Sequence, residues 1–243
     1  MPKNKMTYKE VEVECPKCGK RHPVKIYERI YATDYPLYKK MLKNNELFVF
    51  DCTETNERMT YVYPSLFQDD ENNYMVLFLP GFTASDIEKT DFVDLIGLGE
   101  EEYQKMCDNY KVRVVGSINQ LLEKVLIFDE EMDDRAVEIQ KAMLANQVKK
   151  ESGKNIHSFR FELLKDHKYG YTVTFTDNTT ALIKLDMDQY YHIYLANKKM
   201  INERTPEGFA YIEAEWGVES LFAMADQFAK DKGKGKGKRK KYQ

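Results

Sequence analysis

The sequence predicts an α+β protein with antiparallel-rich sheets, a cysteine turn at one edge of the first sheet, and a second α+β domain behind it. Three observations carry this reading. Apolar, β-branched runs succeed one another at connections too short for parallel crossovers, which need a dozen residues or more. One helix is legible from its 3.6-residue periodicity and its cap. The polar segment KKESGKN at 149–155 then interrupts the chain, and the strand pattern restarts beyond it. A chain of 243 residues accommodates two units, read here as domains over 1–150 and 151–229 with a cationic tail over 230–243.

The elements follow in order. EVEVE at 10–14 alternates strictly, with Val11 and Val13 on one face and glutamates on the other. HPVKIYERI (22–30) sets Val24 and Ile26 on one side and is expected to return antiparallel to it. DYPLYKKMLKNN (34–45) has Pro36 in a first helical turn, Leu37, Tyr38, Met41 and Leu42 at helical spacing, and Asn44 and Asn45 as a stop. LFVFDC (47–52), MTYVYPSLF (59–67) and YMVLFLP (74–80) read as three strands separated by polar turns, enough with the first hairpin for a meander. YKVRVVG (110–116) adds a strand, and Ser117 caps a helix whose Ile118, Leu121, Leu122, Val125 and Leu126 fall on one face. Asp133 and Asp134 stand at the start of the next helix (134–150), where carboxylates offset the dipole, so they are read as capping rather than catalytic. Beyond the linker, FRFELLKD (159–166), YGYTVTF (169–175) and ALIKLDM (181–187) read as antiparallel strands, followed by a helix over 188–200. FAYIEAEW (209–216) reads as another strand, before an amphipathic stretch ending near Phe228. The tail has almost no apolar side chains to offset the entropy of ordering, so no structure is expected there.

Composition narrows the function classes. Hydrophobic residues make up 42% of the chain, and 13% of it is aromatic, enough for sizeable cores. The longest apolar runs stop far short of the ~20 residues a membrane span needs, so no membrane partner is expected. The first residues lack the apolar stretch of a secretory signal, and four cysteines, two of them closely spaced, suit a reducing compartment, so the expected location is cytoplasmic. Residues 230–243 carry eight Lys or Arg against Asp231, which leaves the rest of a chain of net charge −3 strongly acidic and a poor general surface for nucleic acid.

The chemistry concentrates at CPKCGK. Cys15 and Cys18 are spaced so that both thiolates can face one ion from a tight turn, a zinc-ribbon-like CPxC knuckle, and Gly19 can supply the positive φ that closes it. A closed zinc site takes four ligands, so a partner is expected at the end of another strand. Cys52 stands there, but a second knuckle would need a cysteine at 55, where the chain has Thr55. The predicted metal ligands are therefore Cys15, Cys18 and Cys52, for Zn2+, with His22 or Glu54 as a possible fourth and water as another. Cys107, far along the chain, reads as a helix-packing thiol.

These segments together resemble the CpXC family, named for two Cys-Pro-x-Cys motifs. The resemblance runs from residue 8 to about 147 and is carried by CPKCGK, NNELFVFDC, MTYVYPSLFQDD, YMVLFLP and RVVGSINQLLEKVLIFDEEMDDRAVEIQKAML. It implies metal binding through both motifs and no particular activity. The chain departs from the pattern at Thr53 and Thr55, in the second motif.

The reading that follows is a non-catalytic binding or scaffolding module with a partly degenerate structural zinc-type site. One alternative is a metal-free relic with weak polyanion or nucleic-acid binding through the basic tail. Another is a thiol redox protein, although Gly19 and Pro23 argue against the helix N-terminus that lowers a redox cysteine's pKa. Nothing indicates a hydrolase, because His22, His157, His167 and His192 stand singly and no nucleophile or phosphate-loop motif accompanies them. The expected partners are a protein, or non-specific nucleic acid at the tail. Tyr61, Tyr63 and Tyr74 lie on strand-like runs and are read as core or sheet-face residues.

Overall fold

The computed structural model describes residues 3–165 and 168–238, with 229–238 as backbone only. The chain divides into two compact units, Met1–Val125 with Glu207–Tyr211, and Leu126–Pro206 with Ile212–Gln243. The division does not fall in the 149–155 segment, and a helix continues through Ser152 to a C-cap at Gly153.

The first unit opens with the hairpin β1 (Lys9–Glu14) and β2 (Arg21–Ile26), paired antiparallel with Val11 opposite Val24 and Val13 opposite His22. The alternation of EVEVE is realised, with Glu10, Glu12 and Glu14 exposed. After β3 (Arg29–Tyr31), α1 (Pro36–Lys43) starts on its proline and stops where Asn45 turns to a φ of 58°. A second antiparallel hairpin, β4 (Val49–Asp51) with β5 (Arg58–Thr60), follows. β6 (Ser65–Asp69) and β7 (Tyr74–Phe78) are buried at every residue, as expected of central strands covered on both faces. A 3-10 turn (Ala84–Lys89), α2 (Phe92–Ile96) and α3 (Glu100–Asn109) lead to β8 (Lys111–Val115).

The expected meander needs correcting. The run 59–67 is two strands separated by Pro64, which has no N–H to donate to a ladder. β5 pairs with β4, whereas β6 enters a four-stranded sheet in the order β3-β6-β7-β8, with β3/β6 and β7/β8 parallel. Its parallel connections are long: α1 and the second hairpin lie between β3 and β6, and two helices lie between β7 and β8. The core holds Leu66, Leu77, Val112 and Val114, with Phe82, Phe92, Met106 and Phe209. Tyr63 and Tyr74 are buried, as their strand positions suggested.

Phe209 belongs to the returning segment 207–211, which corrects the strand expected over 209–216. Ala210 makes an isolated bridge to Arg113, Phe209 stacks on Phe92 at 5.3 Å, and Ala214 already begins a helix. At Gly116 a Cβ would lie 2.0 Å from the Phe82 carbonyl oxygen, a backbone atom that cannot swing aside. Gly116→Ala is expected to lower the unfolding free energy by about 3 kcal/mol, read as a lower urea midpoint at unchanged slope.

α4 (Ile118–Asp129) forms as predicted, and the division between the units falls within it. The second unit contains α5 (Asp134–Ser152), whose N-cap Asp133 accepts from the Arg135 backbone N–H, in agreement with the capping reading. β9 (Ile156–Leu163), β10 (Tyr169–Phe175) and β11 (Thr180–Lys184) form an antiparallel sheet in the order β11-β10-β9. α6 (Met187–Glu203) and α7 (Ala214–Lys238) complete it. The Tyr171 hydroxyl donates to Gln140 Oε1 at 2.6 Å, and Gln140 Nε2 donates to the Asp186 carbonyl at 3.0 Å, which ties α5 to the sheet and to the cap of α6. The helical backbone of α7 includes residues 230–238, where composition predicted no structure, and extending a formed helix is easier than nucleating one. Arg239, Lys240, Lys241 and the last strand-run residue Asp166, with His167, lie outside the described residues. Among the described residues, no helix is long and apolar enough to cross a membrane.

Candidate metal centre

The two hairpins end in matching turns. In the first, the Cys15 N–H donates to the Lys20 carbonyl (2.9 Å), the Gly19 N–H donates back to the Cys15 carbonyl (2.8 Å), and Gly19 has a φ of 70°. In the second, the Cys52 N–H donates to the Glu57 carbonyl (2.9 Å), the Asn56 N–H donates to the Cys52 carbonyl (2.8 Å), and Asn56 has a φ of 54°. Asparagine is among the few residues other than glycine that enter this left-handed region readily. The second turn has therefore lost the expected cysteine at 55 but kept the backbone of a knuckle.

The turns bring Cys15, Cys18 and Cys52 together, and β2 adds His22. Ligand atoms of these four residues all lie within 4.8 Å of one another. Cys18 Sγ is 3.7 Å from Cys52 Sγ, and His22 Nε2 is 3.5 Å from Cys18 Sγ and 3.4 Å from Cys52 Sγ. Cys15, Cys52 and His22 are buried, and Cys18 is half-buried. His22 reaches the cluster because strand alternation puts it on the inward face of β2 with Val24. These four side chains could hold a metal ion.

Glu54, the other candidate fourth ligand, is directed elsewhere. Its carboxylate meets Lys20 Nζ at 2.8 Å, which holds the carboxyl below its usual range. Lys17 and Glu57 form a second cross-turn pair at 3.7 Å. Both pairs are exposed and align the turns more than they stabilise them. The Thr55 hydroxyl hydrogen-bonds the Cys52 sulfur and, with the backbone N–H groups of Thr55 and Glu54, lowers that thiol to about 6 despite its burial. The Cys18 thiol is raised instead, because burial and the neighbouring cysteines outweigh the hydrogen bond from the Lys20 backbone, which alone would lower it. Cys107 lies on α3, packed against the core around Val112 and Met106, and its thiol is raised by burial.

Two hairpins with matching cysteine turns, converging on a Cys3His cluster beside a mixed sheet, define an α+β protein with a paired-turn candidate metal centre. The family model for CpXC protein matches residues 13–141, more than half of the chain, and the chain belongs to the CpXC family. The match bears out the resemblance carried by CPKCGK and the segments after it. No curated protein and no solved structure matches the chain.

Proposed function

We propose that Cys15, Cys18, His22 and Cys52 bind one zinc-type ion, and that the first unit is a non-catalytic binding or scaffolding module, zinc-ribbon-like at this edge, whose two hairpins that ion joins. The observation that carries the reading is the spacing of the ligand atoms. A tetrahedral zinc with bonds of about 2.3 Å to sulfur and about 2.0 Å to nitrogen has edges of about 3.8 Å between sulfurs and about 3.5 Å between sulfur and nitrogen. The distances of 3.7, 3.5 and 3.4 Å fit those edges. Three sulfurs and one imidazole also suit zinc better than the hard cations, which select oxygen.

Four protein ligands would close the site and leave no position for an activated water, which supports a structural ion over a catalytic one. The redox alternative is less well supported, since Cys15 is fully buried and sits on a turn rather than at a helix start. The cationic segment 230–243 is proposed as a separate, non-specific polyanion contact. Removing it should abolish RNA binding at low salt, and unchanged binding would refute that part.

The metal reading is tested by exchanging the fourth ligand. Protein purified with zinc supplied is expected to hold about one zinc per chain, and His22→Ala to hold far less. In the family pattern a cysteine occupies position 55, and the Thr55 hydroxyl already reaches the Cys52 sulfur. Adding Thr55→Cys to His22→Ala should therefore restore stoichiometric metal. Less than about a tenth of a zinc in the parent protein, or no loss in His22→Ala, would overturn the assignment.

A further inference from the structure

We propose that the first unit also binds a small apolar monocarboxylate, in a cavity beside the second hairpin. The cavity measures about 420 Å3, within the range of about 300–1,000 Å3 common for small-molecule sites. Leu42, Phe48 and Phe78 border it with almost no accessible surface of their own, so the apolar surface it offers a ligand comes from Val49, Val62, Pro80 and Ile118. The second hairpin supplies Val49 and, just past β5, the half-exposed Val62. The cavity is a cleft open to solvent on one side, so a ligand can enter without the fold opening.

The polar part of the lining points to the head group. Ser117, Ile118 and Asn119, where α4 begins, all border the cavity. The first turn of a helix leaves its N–H groups without intrahelical partners and carries partial positive charge. Here the Gln120 N–H is taken by Ser117 Oγ at 3.2 Å, and the Gly116 N–H by Gln120 Oε1 at 2.9 Å. Among the described residues the N–H groups of Ser117, Ile118 and Asn119 have no such partner, the Asn45, Thr60 and Asn119 side chains add polar groups to the lining, and this turn contains no acidic residue to repel an anion. No Lys, Arg, Asp or Glu lines the cavity. A phosphate or polyanion would want a cation there, as would a second carboxylate. One carboxylate on an apolar body matches the N–H donors of this first turn beside an apolar lining.

The inference is independent of the metal reading, and measuring zinc content in every sample keeps the two separable. Full-length protein is titrated calorimetrically with sodium alkanoates from butanoate to dodecanoate, below their micelle concentrations, and with the matching alcohols. Affinity is expected to rise about fourfold with each methylene until the cavity is filled, and then to level. Each alcohol should bind about threefold or more weakly than its acid. Val62→Trp, at the half-exposed mouth, should block both series while leaving the melting temperature and zinc content unchanged. Ile118→Pro removes one donor at the helix position that best tolerates proline, and should weaken the acids while sparing the alcohols. No binding tighter than about 1 mM anywhere in the series would overturn the proposal. So would binding indifferent to Val62→Trp, or alcohols that match their acids.

Discussion

Cys52→Ala is expected to weaken metal binding by more than about a hundredfold, since removing even an outer-shell partner costs about 10–100-fold. The same change should release the second hairpin. β4 and β5 contribute only three residues each, and an isolated two-stranded hairpin is marginal in water. Amide exchange over 47–62 should therefore accelerate, while β6, β7 and β8, whose side chains are buried almost throughout, stay protected. With zinc held at a thousandfold its Kd, linkage gives about 4 kcal/mol of stabilisation, which chelation should remove from the parent protein and not from Cys52→Ala. Unchanged exchange over 47–62 would mean that the cluster does not tether the hairpin.

The second large effect is expected at Asp69, which is wholly buried at the end of β6. Its carboxylate accepts from Lys39 Nζ, from the Thr33 hydroxyl at 3.0 Å, and from the backbone N–H groups of Glu71 and Asn72 at 3.0 and 3.1 Å. Burial alone would raise this carboxyl, but Lys39, the Asn72 N–H and Thr33 together hold it below the usual range. Asp69→Ala breaks the buried pair with Lys39 and removes the acceptor of the Thr33 hydroxyl and of the Glu71 and Asn72 N–H groups, and by the measure of other broken buried pairs this costs about 3–5 kcal/mol. A carboxyl lowered in the folded state contributes stability that is present above its unfolded pKa of about 3.9. That contribution is lost as pH falls through the folded value. Urea titrations should therefore show a wide gap between parent and Asp69→Ala at neutral pH that narrows in acid. A gap below about 1 kcal/mol at pH 7, or one that widens in acid, would contradict this account.

Much of the candidate centre was legible in the chain because it depends on local rules. CPKCGK specifies a turn, and Asn56, four residues past Cys52, stands where Gly19 stands past Cys15, so the second turn could form despite Thr55. The sequence left His22 and Glu54 open as the fourth ligand; the period that puts His22 on one strand face with Val24 and Ile26 was the available signal, whereas the pairing of Glu54 with Lys20 shows only in the structure. The parallel pairing of β7 with β8 was not legible, because it depends on the crossover over 84–109. There the helices are short, one of them begins with three glutamates, and only a few apolar residues face inward. The same holds for Phe209, whose place beside Phe92 is set by residues more than a hundred positions away. A strand pattern in 209–216 could not reveal that Phe209 packs in the first unit while Ala214 starts a helix.

The central claim is one ion held by three sulfurs and one imidazole nitrogen. Zinc-edge X-ray absorption on the purified, zinc-loaded protein reads that shell directly. Three scatterers at about 2.3 Å and one at about 2.0 Å, with the outer-shell signal of a histidine ring, are the expected result. A shell of four sulfurs, or one dominated by oxygen, would contradict it.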